Sequence, residues 1–417
     1  MTQPIQSIRG MHDIMPPESH RWLWLESTLK NLAFNYGYEP IRTPILEPTA
    51  LFQRSLGQVT DVVSKEMYTF EDRNDLLLSL RPEGTASCVR AGIQQGLFHN
   101  QTQSLWYLGP MFRRERPQKG RLRQFHQFGI ELLGYTSVMA DVELIAFMHD
   151  LWKQLGLTQI TLEINTLGHQ ADRHRYRSAL VDYLTPHQAH FSEDESDRLA
   201  RNPLRLLDTK SKILRDILDG APKMSAYLSD ESIDRHTLFK DQLHTLGIPY
   251  VENEHLVRGL DYYNDTVFEW TTECLGAQGT LCAGGRYDTL VAQLGGSPTP
   301  AIGCALGLER VLELLESEPI ATEPSLIVLS ESKAQPYVQS VARTIRSRYP
   351  QFRIGVDLKE GALKKQLKRA QQQQYTWALI LETETHYRFK CLKTDITPID
   401  GTLDTLNQQL DTLIFGT

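Results

Sequence analysis

The chain has 417 residues, 41% of them apolar and 23% charged, with a formal net charge of -7, which is more than one ordinary core organises and favours a soluble protein of two or three domains. It has no apolar run near the roughly 20 residues a membrane helix needs, and MTQPIQSIRG lacks the apolar stretch of a signal peptide, so membrane-spanning and secreted classes are set aside in favour of a cytoplasmic one. Five cysteines (Cys88, Cys274, Cys282, Cys304, Cys391) are odd in number and lack C-x-x-C spacing, which argues for reduced thiols rather than disulfides or structural zinc.

Trp22, Leu25, Leu29, Leu32, Ala33 and Tyr36 recur at helical spacing and predict a helix over 19–37, with Ser19 as N-cap and Gly37 as C-cap. YEPIRTPILEP follows as an extended segment. Its Pro40, Pro44 and Pro48 cannot donate to a sheet ladder, so it belongs at a sheet edge or a subunit boundary, a setting for dimerisation. In LRPEGT, strand parity puts Arg81, Glu83 and Thr85 on one side, where carboxylate and hydroxyl together suit an ammonium group. Strand-like runs between 105 and 134 flank a loop with six Lys or Arg between Arg113 and Arg123 against the single acid Glu115. Such a loop is either a solvated face or the seat of an anion. In the second run His126, Phe128, Ile130 and Leu132 face a core, and Gln127, Gly129 and Glu131 face away. Tyr107, Gly109, Arg113 and Glu115 share a parity before it, so the pair reads as a pocket floor.

A helix over Val142 to Leu155 leads to the strand ITLEINTLG, and residues 168 to 254 then become polar and helical, an inserted subdomain. LVRGLDYYN gathers Arg258, Asp261, Tyr262 and Tyr263 around Gly259, and CAGGRYD is a double-glycine turn ending in Arg286 and Asp288. Either could be a turn held by a local Arg–Asp pair or a place where a ligand nears the backbone. In TPAIGCALGLER, Ala301, Gly303, Ala305 and Gly307 leave one strand face nearly empty, for tight helix packing or for a flat ligand on which Arg310 could stack. ESEPIATEPS reads as a linker, and strand and helix patterns alternate beyond it, predicting a small α/β domain. From 324 on there are 13 Lys or Arg against 9 Asp or Glu, a balance of +4 that leaves -11 to the rest. In GALKKQLKRA, Leu363, Leu367 and Ala370 face inward, while Lys364, Lys365, Lys368 and Arg369 face outward.

Together these stretches resemble the class II aminoacyl-tRNA synthetases, and within them the histidyl-tRNA synthetase family, nearly end to end. Residues 19–48 are similar to the class's first motif, a dimer-interface element, FRRE with its loop and following strand to the second, and GLER to the third. LVRGLDYYN and CAGGRYD are similar to the two signatures peculiar to the histidine enzyme, and IRGMHDIMP and VDLKEGALKKQLKRA also resemble that family. The resemblance implies an α+β fold. An antiparallel-sheet catalytic domain over 1–320, with the helical insert at 168–254, would precede a C-terminal α/β anticodon-binding domain over 325–417, in a cytoplasmic homodimer with no membrane partner.

The reaction it implies joins L-histidine and ATP, which brings Mg2+, to give histidyl-adenylate and pyrophosphate, and then transfers histidine to the 3′ end of tRNA(His). Arg258, Arg113 and Arg310 would be catalytic, and Arg113, Glu115, Arg121 and Arg310 would hold ATP. Glu83, Thr85 and Gln127 would take the α-ammonium. Glu131 and Tyr262, with Tyr263 near, would take the imidazole, whose one donor and one acceptor nitrogen suit a carboxylate and a hydroxyl. Arg116, Gln118, Lys119 and Arg123 would meet the acceptor end of tRNA, and Lys364, Lys365 and Lys368 the tRNA elsewhere. No protein ligand set for a metal is implied. ETETHYRFKCLKTDITPID departs from the family pattern, so no anticodon contacts carry over. The alternative is the family's non-catalytic paralogue, a histidine-binding regulatory subunit of ATP phosphoribosyltransferase, which normally lacks an intact signature set and the tail domain.

Overall fold

A computed structural model of the chain describes residues 4–57, 60, 62–118, 120–209, 211–258, 262–276, 279–315, 325–359, 361–394 and 396–415. The expected linker at 316–324, together with Lys119, Gly259 and Asp261, lies outside the described residues. The chain divides into two units, Met1–Glu318 and Pro319–Thr417.

In the first unit the opening helix runs Glu18–Asn35. Ser19 is not its N-cap: Pro17 holds that place, and the Ser19 N–H donates to the Met15 carbonyl at 3.1 Å, so the chain's entry through two prolines satisfies the helix start with backbone. At the other end Gly37 has φ +72°, and the N–H groups of Gly37 and Tyr38 reach back to Phe34 and Ala33 at 3.0 and 2.9 Å. That close needs a left-handed residue, which explains the glycine.

Eight strands form the main sheet in the order Glu39–Pro40, Gln103–Phe112, Gln124–Leu133, Ala301–Gly307, Thr280–Arg286, Asn264–Thr271, Thr161–Thr166 and Val251–Glu252. The six central strands run antiparallel, and both edge strands pair in parallel. The proline-bearing segment is indeed peripheral. Glu39–Pro40 is an edge strand, and Leu46–Pro48 edges a three-stranded sheet with Leu77–Leu80 and Thr69–Glu71. Phe128, Ile130, Leu132, Ile302, Cys304, Leu306, Phe268 and Trp270 build one core with residues of Glu18–Asn35 and of the helix Val138–Gln154. That helix starts before the expected Val142 because Ser137 caps it, accepting from the Met139 N–H at 3.1 Å. Side chains of opposite parity on the same strands are left for a site on the other face.

The expected insert contains the helices Gln170–Leu184, Glu193–Arg201 and Lys212–Leu218, whose buried leucines join a second core with Leu105, Leu133 and Val267. The end of the range 168–254 belongs elsewhere. The helix Asp230–Thr245 gives Phe239 and Leu243 to the main core, and Val251–Glu252 completes the sheet. The polar surface of that helix hides its few buried apolar positions from a periodicity reading.

CAGGRYD is not a turn. Gly284 and Gly285 lie within the strand Thr280–Arg286, where a Cβ on Gly284 would meet the Gly303 carbonyl at 2.3 Å. Arg286, 1% exposed, donates to Asp141 at 2.5 and 3.0 Å and to the carbonyls of Tyr135 and Ser137. Its closest partner is therefore 145 residues away in the chain, and the role is structural.

The second unit has a five-stranded sheet ordered Arg353–Val356, Ser325–Ser330, Trp377–Leu381, His386–Cys391 and Ile399–Thr402, the first three strands parallel and the last two antiparallel. On the helix Leu363–Gln372, Ala370 is buried with Leu363 and Leu367 beside it, and Lys364, Lys365 and Lys368 are exposed. Arg369 does not join them. It is clamped to Asp357, with Nε at 3.1 Å, and to the Lys359 carbonyl at 2.8 Å, because the adjoining loop presents a carboxylate to that side of the helix.

Candidate active site

On the open face of the main sheet lies a cavity of about 250 Å³. Glu83, Thr85, Arg113, Glu115, Arg121, Gln127, Arg258, Tyr262, Tyr263 and Arg310 all line it, so the structure gathers expected residues drawn from positions 83 to 310. The stripe Gly303, Ala305 and Gly307 forms part of its floor.

Glu83 and Thr85 meet there, but not by strand parity. The strand ends at Leu80 and Thr85 opens the helix Thr85–Gln94, whose first N–H groups, on Thr85 and Ala86, donate to Glu83 at 2.6 and 2.9 Å. A carboxylate there answers the unpaired donors and positive end of the helix. Burial raises the Glu83 pKa, and the two backbone donors oppose the rise. Arg81 points away from the pair, giving Nε to the Pro110 carbonyl and Nη1 to the Thr43 carbonyl, both at 3.0 Å. Gln127 presents a buried Oε1 with no hydrogen-bond partner, an acceptor left for a ligand donor.

Glu131 lies behind this floor, 0% exposed. The Thr85 hydroxyl donates to its Oε1 at 2.6 Å, and the Tyr287 hydroxyl donates to its Oε2. Space for that second oxygen exists only because residue 303 is glycine, since a Cβ there would sit 1.8 Å from it. Burial pushes the Glu131 pKa up to about 8, against the pull of the Thr85 and Tyr287 hydroxyls. Tyr262 and Tyr263 stand beside the pocket with ring centroids 4.6 Å apart.

The remaining wall is cationic. Arg113 donates Nε to the Pro82 carbonyl at 3.0 Å and lies 5.3 Å over the Phe125 ring. Arg258 is paired with Glu269 and sits 5.6 Å over Tyr263, and its Nε is buried without a partner. Arg310 is braced by the carbonyls of Gly120 and Thr280 at 3.1 and 2.5 Å. Desolvation lowers its pKa, and Arg121 adds to that. Arg121 pairs with Glu115 at 3.1 Å.

Of the loop residues expected to meet nucleic acid, Arg116 and Gln118 are exposed. Arg123 instead turns back toward the loop, its Nε 3.3 Å from the Glu115 carbonyl. Tyr107, read from strand parity as part of a pocket floor, does line the cavity, as do Phe125 and Glu269; Phe125, Glu269 and Tyr287 were missed as site residues. Glu269 had a readable signal, a carboxylate amid the apolar run Val267, Phe268 and Trp270, whereas Tyr287 had none beyond its place after the GGR stretch.

A cavity pairing buried carboxylates with several arginines can hold a zwitterion beside a polyphosphate. A family model described as histidyl-tRNA synthetase matches residues 10–172 and 186–311. The chain is 49% identical over 386 residues to a histidine–tRNA ligase of Hydrogenovibrio crunogenus, covering 91% of this chain and 90% of that protein. It is similar to the crystal structure of apo histidyl-tRNA synthetase from S. aureus, with a TM-score of 0.81 and 33% identity over 97% of this chain and 99% of the other. A structure from Bacillus halodurans titled ATP phosphoribosyltransferase regulatory subunit/histidyl-tRNA synthetase shares the fold, with a TM-score of 0.66 at 22% identity over 91% of this chain and 99% of the other.

Proposed function

The chain belongs to the histidyl-tRNA synthetase family, and from that premise we propose how its cavity carries out the work of a histidine–tRNA ligase. Histidine and ATP bind side by side, the histidine carboxylate attacks the α-phosphate, pyrophosphate leaves, and the 3′ end of tRNA(His) then takes the histidyl group. The observation that carries this reading is the meeting in one cavity of the unpartnered Gln127 acceptor, the Glu83 carboxylate and the Arg113, Arg258 and Arg310 guanidiniums.

Glu83, Thr85 and Gln127 receive the α-ammonium. Glu131 and Tyr262, with Tyr263 alongside, take the imidazole, and the Thr85 hydroxyl leaves Glu131 for the ligand as the ring arrives. Arg258 and Arg113 face the α-phosphate and carboxylate oxygens, where negative charge builds in the transition state. Arg310 covers the adenine on the floor of Gly303, Ala305 and Gly307, and Glu115 and Arg121 place the phosphates. Were Mg2+ bound with ATP, Glu115 and Glu269, the cavity carboxylates each already paired with an arginine, would be the residues to hold its water shell, and it would supply charge neutralisation for the phosphates.

Arg116, Gln118 and Lys119 meet the acceptor end of tRNA, with Arg123 supporting their loop, and Lys364, Lys365 and Lys368 meet it through the second unit. Residues 325–417, within that second unit, serve as the anticodon-binding domain. A homodimer is supported by Ile45, Leu46, Phe70, Leu76 and Leu77, all exposed on or beside the three-stranded sheet. A cytoplasmic setting accords with the absence, among the described residues, of any helix long and apolar enough to cross a membrane. The regulatory-subunit alternative is disfavoured because it has no use for the arginine wall.

The test is ATP–pyrophosphate exchange with each amino acid in turn. Exchange specific to histidine is expected, and histidine binding without exchange would reinstate the regulatory alternative.

A further inference from the structure

In the main sheet the strand Gln124–Leu133 pairs with Ala301–Gly307 as far as Gly307 opposite Gln127. There the second strand ends, because the chain turns into the helix Leu308–Leu314, while on its other side Gln124–Leu133 stays paired down to Gln124 opposite Phe112. Beyond Gln127 the His126 N–H has no strand left to bond on the first side, and an unpaired backbone donor is costly. Glu309 takes it. Its Oε1 and Oε2 accept from the His126 N–H at 2.9 and 3.1 Å, and its Oε1 lies 3.1 Å from the His126 ring Nδ1. An ionised carboxylate only accepts, so Nδ1 carries the proton.

Consecutive residues of the helix Glu18–Asn35 back both partners. Trp22 meets the His126 ring edge to face, with centroids 4.8 Å apart and planes at 71°. Arg21 gives Nη2 to the carbonyls of Leu312 and Leu315 at 2.9 and 2.6 Å, where the helix that begins beside Glu309 ends.

The clamp joins two parts of the cavity wall. His126 stands between Phe125, over which Arg113 lies, and Gln127, while Glu309 directly precedes Arg310. Phe125, Gln127, Glu309 and Arg310 all line the cavity. Both Glu309 oxygens are taken up by His126, so this carboxylate is not the one a substrate meets. We propose that Glu309 is a positioning residue, which through His126 sets the spacing between Gln127, the seat of the α-ammonium, and Arg310, the cover of the adenine. The inference rests on the functional reading above.

Attack of the histidine carboxylate on the α-phosphate joins two separately bound molecules, so its rate depends on the distance between their seats, and a displacement of about 1 Å costs on the order of 10²-fold. Transfer to tRNA starts from the adenylate, in which a covalent bond already fixes that distance. Loss of the clamp should therefore slow the first step and spare the second.

The experiment compares full chains carrying Glu309→Gln, His126→Phe or His126→Asn. Glu309→Gln keeps the size and one carbonyl oxygen, His126→Phe keeps the ring against Trp22 without its donor, and His126→Asn returns a side-chain donor without the ring. Rapid-quench adenylate formation should fall about 10–100-fold in the first two, with the KM values for histidine and ATP within about threefold of wild type. His126→Asn should recover most of the rate, even at a lower melting temperature. Transfer to tRNA from synthetic histidyl-adenylate should stay within about twofold in all three. A purely architectural link would lower melting temperatures and leave the rate per folded chain alone, and that outcome overturns the proposal. So does a loss confined to the KM for ATP, which would make Glu309 part of the nucleotide seat only, or a transfer rate that falls as far as adenylate formation. Should Glu309→Gln fail to fold, the two His126 variants decide the matter by themselves. A wild-type chain without histidine-dependent exchange sinks the functional reading and this inference with it, whereas exchange by wild type beside variants of equal rate sinks the positioning role alone.

Discussion

At one end of the active-site cavity Glu83 and Tyr262, with Glu131 and Tyr287 behind them, are all 5% exposed or less, whereas at the other the Arg121 side chain is 41% exposed and its partner Glu115 15%. The first end is dry. Each polar atom there is worth much when paired and costly when not, so it suits recognition of one small, neutral-to-zwitterionic ligand. The second end keeps arginines near water, where they attract a strongly charged ligand and release it again. Arg258 stands between them, bound to Glu269 and stacked over Tyr263. Selectivity for the amino acid and affinity for the nucleotide are thus expected to be separable by mutation.

Glu131→Ala should produce the largest effect. A site built to hydrogen-bond a polar ring loses roughly 10⁴-fold in discrimination when that contact is missing, and kcat/KM for histidine should fall by about that factor while the KM for ATP holds. Equal damage to both substrates, measured by exchange kinetics, would mean that the two ends are one.

Arg258→Ala should come next. Removing a preorganised donor to developing charge costs about 10²–10³ in rate, and the loss should fall on adenylate formation in rapid-quench experiments with little change in histidine affinity. Glu269→Gln, which leaves Arg258 in place but loosens its orientation, should show a smaller loss of the same kind.

Two glycines on one strand face sharpen the comparison further. At Gly303 a Cβ would collide with Glu131 and with the Ile130 carbonyl, 2.8 Å away, whereas at Gly307 nothing lies within 4 Å. Gly303→Ala should therefore cost about 1–3 kcal/mol in stability or histidine affinity, as overpacking does. Gly307→Ala should leave the melting temperature nearly unchanged and raise only the KM for ATP, by severalfold. The reverse pattern would place the adenine elsewhere.

Much of this site was legible in the sequence because alternation along a strand is a local property. Gln127 and Glu131, and Gly303 and Gly307, announce their shared faces within ten residues of sequence. What stayed hidden depends on register between distant strands. Tyr287 meets Glu131 across 156 residues, and Glu269 pairs with Arg258 at a separation of 11 residues, in a strand, Asn264–Thr271, whose alternation does not reach Arg258. Arg286 was half legible: the local pair with Asp288 exists, at 3.3 Å, but the closer partner Asp141 is set by packing and the stretch is a strand, not a turn. The fold followed the same division. The sheet edges were predictable from prolines, while the helix Asp230–Thr245 was assigned to the insert because its surface is polar and its core contacts are few.

The smallest expected effect concerns pH. The Glu131 carboxyl, at about 8 in the folded chain against 4.5 for an ordinary glutamate, holds its proton more tightly when folded. Its contribution to stability is therefore fully present below about 4.5 and is lost as pH rises through about 8, where folding must bury the ionised form. The hydroxyls of Thr85 and Tyr287 partly compensate that charge, so the decline in melting temperature across the window should be on the order of a few degrees. Glu131→Gln should remove this share of the decline while preserving the fold. Tyr287→Phe should steepen it, since one donor to the carboxylate is gone. Melting curves at a series of pH values read all three, and a Glu131→Gln chain whose melting temperature tracks wild type across the window would show that the carboxylate is solvated and that this end of the cavity is wet.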